Sequence, residues 1–217
     1  MMDYSVLRKN MVESQVRTNE VTDRKLLRAM LDVPREQFVP EAQRALAYNG
    51  EGVALGEGRA LPPPMTTARL IQLAAVNPID HVLEVGCATG YGTALLAHLA
   101  ANVTGLDIDA ALAASAKANV AAVGLTNDDI ETGPLEAGWA KGAPYDVIVV
   151  SGAIAQVPEA LRAQVRDGGR LVAVIAEGAV GRAMLFEKQG ASFTGRFAFN
   201  APAPMLPGFA RKPAFAL

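Results

Sequence analysis

The chain predicts one doubly wound α/β domain with an N-terminal helical extension, and three observations carry that prediction. From Thr66 onward, helical and strand-like runs alternate along most of the remaining length. The run "YDVIVVSGA" is apolar at nearly every position, as a strand buried on both faces should be. The strand-like "HVLEVG" passes through two glycines into the helical "YGTALLAHLA", and turns of that kind bring backbone close to a small-molecule cofactor.

The elements follow in order. Residues 1–31 read as helical, and in "VTDRKLLRAML" either Thr22 or Asp23 can cap a helix whose Leu26, Leu27, Met30 and Leu31 share a face. "DVPREQFVP" is a turn and short helix punctuated by Pro34 and Pro40. The glycine- and proline-rich "YNGEGVALGEGRALPPPM", residues 48–65, reads as an ordered loop lying over something, since connections this long tend to be functional. "TTARLIQLAAV" is a helix, "HVLEVG" a strand, "YGTALLAHLA" a helix and "NVTGLDID" a strand. "AALAASAKANVAAVG" is a helix, followed by a short strand near Asp129 to Thr132. After the strand "YDVIVVSGA", "VPEALRAQVRDGG" reads as a helix ending at its glycines, and "RLVAVIA" as the next strand. "MLFEKQG" and "SFTGRFAFN" are mixed, and the proline-bearing "APAPMLPGFARKPAFAL" is expected to run extended along a cleft, its last residues adding an antiparallel edge strand.

Composition narrows the function classes. Hydrophobic residues are 51% and charged residues 19%, an ordinary globular balance. The net charge of −2 supplies no basic field, so no nucleic-acid partner is expected. Cys87 is the only cysteine, which leaves no internal disulfide and no cysteine-based zinc site, and no metal is expected. "MMDYSVLRKN" has no apolar core of a secretory signal and no apolar run approaches a membrane span, so the expected location is the cytoplasm, away from membranes.

The turn after the first core strand sets the chemistry. Counted from Gly86, the second and third positions of a dinucleotide fingerprint are Ala88 and Tyr91 rather than glycine, so a nicotinamide cofactor is poorly supported. No Gly-Lys-Ser/Thr follows, which excludes a P-loop. Glu84-x-Gly86-x-x-x-Gly90 instead resembles the first motif of class I S-adenosylmethionine-dependent methyltransferases. Gly86 and Gly90 would let backbone approach the amino-acid end of that cofactor. Glu84 can orient the turn or accept from the cofactor's ammonium. Asp107 closes the next strand, where a carboxylate can accept both ribose hydroxyls; Asp109 is the substitute, and either can cap the following helix. The expected cofactor set is Glu84, Gly86, Cys87, Gly90, Tyr91, Asp107, Ile108, Pro134 and Leu135, with Cys87 contributing backbone and no nucleophile.

"MVESQV", "LLRAMLDVPREQFVP", "AYNGEGVALGEGRALPPP", "VLEVGCATGYGTALLAHLA", "GWAKGAPYDVIVVSGA" and "VPEALRAQVRDGGRLV" together resemble protein-L-isoaspartate O-methyltransferases, in order and spacing, from about Met11 to Val172. The resemblance implies a Rossmann-like, mostly parallel seven-stranded sheet, residues 66–217, behind a helical extension and substrate loop, residues 1–65. It also implies S-adenosylmethionine as cofactor and methylation of the α-carboxylate of isoaspartyl residues in damaged proteins, which return to aspartate through a succinimide. The chain departs from the family in two loops. The substrate loop, usually Gly-Gln-Thr-Ile-Ser-x-Pro, is Gly58-Arg59-Ala60-Leu61-Pro62-Pro63-Pro64, so both hydroxyls are gone and Pro62 stands at the serine position. Arg59 either replaces the lost carboxylate partner or is a solvated loop charge; Arg59 and Pro62, the latter without the serine's function, are the expected catalytic positions, and Arg59, Ala60, Leu61 and Met65 form the expected substrate set. Gly133-Pro134-Leu135 replaces Gly-Asp-Gly, leaving Glu136 as the nearby carboxylate for the adenine amino group. Trp139 is expected to pack over a neighbouring loop, and His81 and His98 to be structural. A carboxylate nucleophile, with a pKa of about 3.5, is ionised at neutral pH, so the chemistry needs positioning and water exclusion rather than a catalytic base. A different carboxylate acceptor, or a relative that binds without transferring methyl groups, are the alternatives.

Overall fold

Side-chain carboxylates start the first two helices. Asp3 caps α1 (Tyr4–Met11) and Asp23 caps α2 (Arg24–Asp32), each accepting from backbone N–H groups of the first turn. The computed structural model describes residues 3–177 and 180–209. Between α1 and α2 the chain passes through a π-helical turn, Val12–Val16, and a 3₁₀ turn, Arg17–Asn19. Leu26, Leu27 and Met30 of α2 are buried in one cluster with Met11 and Val16, so the predicted apolar face exists; Leu31 is only half-buried.

Residues 48–65 contain more order than a loop. Val53–Gly56 (β1) and Arg59–Leu61 (β2) form an antiparallel hairpin, turned by Glu57 and Gly58 at φ +47° and +71°. A β-bulge between Ala54 and Gly56 shifts its register. The sequence signal was masked because the strands are too short to show alternation.

The remaining elements are α3 (Pro64–Ala74), β3 (His81–Val85), α4 (Tyr91–Ala97), β4 (Asn102–Asp107), α5 (Ala110–Ala122) and β5 (Asp128–Thr132). They continue with β6 (Tyr145–Ile154), α6 (Glu159–Gln164), β7 (Val165–Glu177), β8 (Val180–Gln189) and β9 (Ser192–Asn200). The helix expected over "VPEALRAQVRDGG" stops at Gln164. Val165 already pairs with Tyr145, and the glycines sit in an irregular stretch of β7 before regular pairing resumes at Arg170. Non-local strand pairing overrides the local helical pattern there.

Seven strands form one sheet in the order β5-β4-β3-β6-β7-β8-β9, parallel from β5 to β7 and antiparallel at β8 and β9. The chain leaves β3 outward through β4 and β5, then returns to β6 on the other side. The topological switch point therefore lies between β3 and β6, and the crevice where ligands of such sheets bind is the one beyond their carboxyl ends. Alternation along the strands divides the core. Val82, Val147, Val149 and Val172 join α1, α2 and α4 on one face, whereas Leu83, Val85, Ile148, Val150 and Leu171 face Leu161 and the C-terminal segment on the other. Among the described residues no helix is long and apolar enough to cross a membrane.

Candidate functional site

The crevice is built from three backbone corners. After β3, the chain turns through Gly86, Ala88 and Gly90, with φ of +81°, +51° and +91°. Gly86 and Cys87 N–H groups donate to Leu106 O at 2.8 and 3.1 Å, tying the turn to the end of β4. Gly90 serves packing rather than approach to a ligand: a Cβ there would lie 3.0 Å from Ala116 Cβ and 3.1 Å from Val120, on α5. Only at Gly86 does the missing side chain face the crevice.

Glu84 is fully buried beneath this turn. Thr93 and Ser151 hydroxyls each donate to one of its carboxylate oxygens at 2.5 Å, and it packs against Gly92 of α4. These contacts link β3, α4 and β6 through one side chain. Burial raises its pKa, opposed by the Ser151 and Thr93 hydrogen bonds and reinforced by the charge of Asp107. Cys87 is buried as well, and burial pushes its thiol well above the usual range.

Asp107 closes β4 with no exposure, as its place in the sequence led us to expect, but its carboxylate is engaged. Arg59 Nη1 and Nη2 donate to Oδ1 and Oδ2 at 2.6 and 2.7 Å. Ala88 N–H donates to Oδ2 at 2.8 Å and Asp109 N–H to Oδ1 at 3.0 Å. Each oxygen thus carries one guanidinium and one backbone donor. Arg59 is 5% exposed, so the reading of a solvated loop charge is wrong, and the acceptor-carboxylate role is taken here by a carboxylate of the chain itself. Asp109 caps α5 through Ala111 and Leu112 N–H groups, which settles which of the two acids caps the helix.

The third corner is occupied from above. Residues Ala201–Phe209 run back over the carboxyl ends of the strands: Ala153 N–H donates to Pro204 O at 2.7 Å, Leu206 N–H to Ala153 O at 2.9 Å and Ala155 N–H to Phe209 O at 3.3 Å. Leu206 drops between two glycines. Cβ atoms built at Gly86 and Gly152 would lie 2.9 and 2.6 Å from its side chain. The segment is extended and flanks the cleft as expected; the edge strand expected from its last residues falls on residues 210–217, outside the described ones.

The other expected site residues divide. Ile108 projects into solvent at the end of β4 and Pro134 is exposed after β5, both on the crevice rim. Glu136 is exposed and lies against Gly208 of the returning segment. Leu135 is a core residue without exposure. The Tyr91 side chain also turns away, packing edge-on to Phe38 at 5.5 Å and beneath the Arg35 guanidinium at 4.9 Å. Ala60 and Met65 are half-buried, and Leu61 belongs to the core with Val53. Pro62 is buried, and its carbonyl accepts from Arg35 Nη2 at 2.6 Å. Trp139 packs against Gly133, and its backbone N–H is held by Gln164 at 2.8 Å. His81 stacks obliquely on Tyr145 at 5.1 Å and His98 caps α4, both away from the crevice.

Three participants escaped sequence reasoning. Ser151 was visible as the one serine within a mostly apolar strand. Arg35 was a charge beside a proline. Leu206 had no signal beyond being apolar among prolines.

Comparison with known proteins then places this geometry. A family model described as protein-L-isoaspartate(D-aspartate) O-methyltransferase matches residues 7–199. A protein-L-isoaspartate O-methyltransferase 1 of Rhodopseudomonas palustris (strain HaA2) is 39% identical over 169 residues, 78% of this chain and 69% of the relative. A protein-L-isoaspartate O-methyltransferase of Methylorubrum extorquens (strain PA1) is 41% identical over 170 residues, 78% and 74% of the two chains. Among solved structures, a protein-L-isoaspartate O-methyltransferase superposes with a TM-score of 0.81 at 23% identity, over 93% of this chain and 66% of that one. A putative protein-L-isoaspartate O-methyltransferase from Plasmodium falciparum, in complex with S-adenosyl-L-homocysteine, gives 0.76 at 18% identity, over 95% and 99%. These two structural likenesses support the fold.

Proposed function

The chain belongs to the protein-L-isoaspartate(D-aspartate) O-methyltransferase family, and from that premise we propose that it methylates the α-carboxylate of isoaspartyl residues in damaged proteins. S-adenosylmethionine is the cofactor of this activity, and its sulfonium supplies an activated methyl group whose transfer to a carboxylate cancels two charges. The observation that carries the reading is the crevice at the switch point, with Gly86 at the end of β3 and Asp107 at the end of β4. The chemistry of this set suits the cofactor: glycine backbone for its amino-acid end, a carboxylate for its ribose, and an open rim at Ile108 and Pro134 for its base. The space is another matter, because Arg59 and Leu206 stand in it.

What the residues do follows from the reaction. Glu84, locked by Thr93 and Ser151, keeps the glycine turn in place. Burial of Arg59 and Asp107 keeps water from the charges at this place. No proton needs to move, since the acceptor is already ionised at neutral pH. We place the enzyme in the cytoplasm, its damaged-protein substrates among soluble chains; a lone cysteine, buried in the turn, suits a reducing compartment.

The assay is transfer of radiolabelled methyl groups from S-adenosylmethionine to isoaspartyl and matched aspartyl peptides. Base-labile label in the isoaspartyl peptide alone is expected; no label in either sinks the reading. A second reading has one observation behind it: Ala60 and Pro62 leave no hydroxyl on the substrate loop, and the Pro62 carbonyl is already taken by Arg35. A different carboxylate acceptor would show as label in other carboxylates of a cell extract and none in isoaspartyl peptides.

A further inference from the structure

Asp107 is the group on which the cofactor reading turns, and in this structure it has no free capacity. A carboxylate offers about four acceptor positions, and four donors fill them: two from Arg59 and one each from Ala88 and Asp109. The backbone donors belong to the turn and to the cap of α5. The guanidinium is the only one of the four that can leave without rebuilding the sheet. Any ribose that binds Asp107 therefore has to expel Arg59.

Both obstructing side chains stand on elements outside the seven-stranded sheet, and the guanidinium and the leucine side chain can swing aside by their own side-chain rotations. Arg59 opens β2, and the β1–β2 hairpin forms a two-stranded sheet of its own, which among the described residues has no backbone pairing with the seven-stranded sheet. Its tip, Gly56 to Gly58, is exposed. Leu206 rides on the returning segment, whose described backbone hydrogen bonds run to Ala153 of β6, to Ala155 just beyond it and, from Ala201, to Gly181 of β8. That segment also lies beyond residue 199, where the match to the family ends. The substrate loop, one of the two loops in which this chain departs from its family, and the returning segment thus meet over one place, at Gly86 and Asp107.

We infer that the Arg59–Asp107 ion pair, backed by Leu206 between Gly86 and Gly152, is an autoinhibitory latch that competes with the nucleoside of the cofactor. The inference rests on the cofactor reading above. As a tethered competitor, the guanidinium faces Asp107 at a high effective concentration, and both partners are shielded from water. Cofactor binding is then weaker than the crevice allows, and its rate is capped by opening of the latch. A guanidinium that merely positioned Asp107 for the ribose would have the opposite signature, since its removal would weaken binding. The sign of the change separates the two.

The experiment is titration of the full chain with S-adenosylhomocysteine by calorimetry, alongside stopped-flow fluorescence of Trp139, the single tryptophan, which packs beside Gly133. Arg59→Gln is expected to tighten binding at least tenfold and Leu206→Ala several-fold. In the wild type the observed association rate should level off as ligand rises, and in Arg59→Gln it should keep rising. Should Arg59→Gln melt below the assay temperature, Arg59→Lys, which keeps the charge and loses the two-point contact, is expected to give a smaller gain of the same sign. Equal or weaker binding by a folded Arg59 variant overturns the latch while leaving the cofactor reading intact. If neither wild type nor any variant binds, both fall together.

Discussion

Two buried arginines, from two regions of the N-terminal stretch, show how differently a protein can hold the same group. Arg35 has no exposure and no carboxylate: its guanidinium donates to Ala47 O at 2.8 Å and Pro62 O at 2.6 Å and lies over the Tyr91 ring. Burial lowers its pKa, with Tyr91 and Tyr48 acting against that. Arg59 is nearly as buried but is bound to the carboxylate of Asp107 through both terminal nitrogens. Arg35 joins carbonyls from two loops that no ligand would seek, so it is a fixture of the fold. Arg59 sits on an acceptor that a sugar can also use, so its place is contestable. Depth of burial is the same in kind; the partner's alternatives decide whether the contact is permanent.

The largest expected effect tests the fixture. Arg35→Met leaves two buried carbonyls without donors and removes the cation over Tyr91. At about 1–3 kcal/mol for each unsatisfied group, plus lost packing, the variant should lose roughly 3–5 kcal/mol of unfolding free energy. Urea titration measures it. Saturating S-adenosylhomocysteine should restore no more stability to this variant than it adds to wild type, whereas Arg59→Gln should gain more from the ligand than wild type does. Equal gains in both variants would erase the distinction between the arginines.

The same division marks what could be read from residue order. The alternation of buried strands and helices, the glycine turn and Asp107 at its strand end all depend on neighbours within a few residues, and they were legible; of the helix caps, sequence narrowed each to two residues, and Asp23 and Asp109 are the ones that cap. The Arg59–Asp107 pair joins residues 48 apart in sequence, and no local pattern announces it. Leu206 reaches Gly86 and Gly152 from a segment whose prolines suggested only an extended path. The end of α6 was misplaced for a related reason, because Val165 answers to Tyr145 rather than to the helix before it. Tyr91 and Leu135 were assigned by position in a motif, and their side chains turned to the core because each follows its own element's face.

A smaller effect separates bracing from binding within the crevice. Glu84 is a carboxylate whose burial raises its pKa, against the Ser151 and Thr93 hydroxyls. A group that holds its proton more tightly in the folded chain supports stability below its unfolded value, about 4.3 for Glu. That support is lost as pH rises through the native value. Glu84→Gln removes the titration while keeping size and one acceptor. The two proteins should be within ~1 kcal/mol of each other near pH 4, and the wild type should then lose ground to the variant as pH rises, before the difference levels off. Paired urea titrations from pH 4 to 8 follow it. A difference that stays flat would mean that the hydroxyls fully offset burial.

The smallest effect concerns the corner that both functions share. Ala88 adopts φ +51° in the turn, a left-handed conformation that crowds its Cβ against its own backbone. The crowding costs about 1–2 kcal/mol in a residue with a side chain. Glycine removes it but gains freedom in the unfolded chain worth about 0.4–1 kcal/mol, so Ala88→Gly should stabilise the fold by a net ~0.5–1 kcal/mol. The Ala88 N–H that donates to Asp107 at 2.8 Å survives the change, so the affinity for S-adenosylhomocysteine should stay within about twofold. Thermal melts and calorimetry read the two halves. If affinity rose together with stability, the strained turn would be part of what keeps Arg59 in place, and the latch would extend from the hairpin into the glycine turn itself.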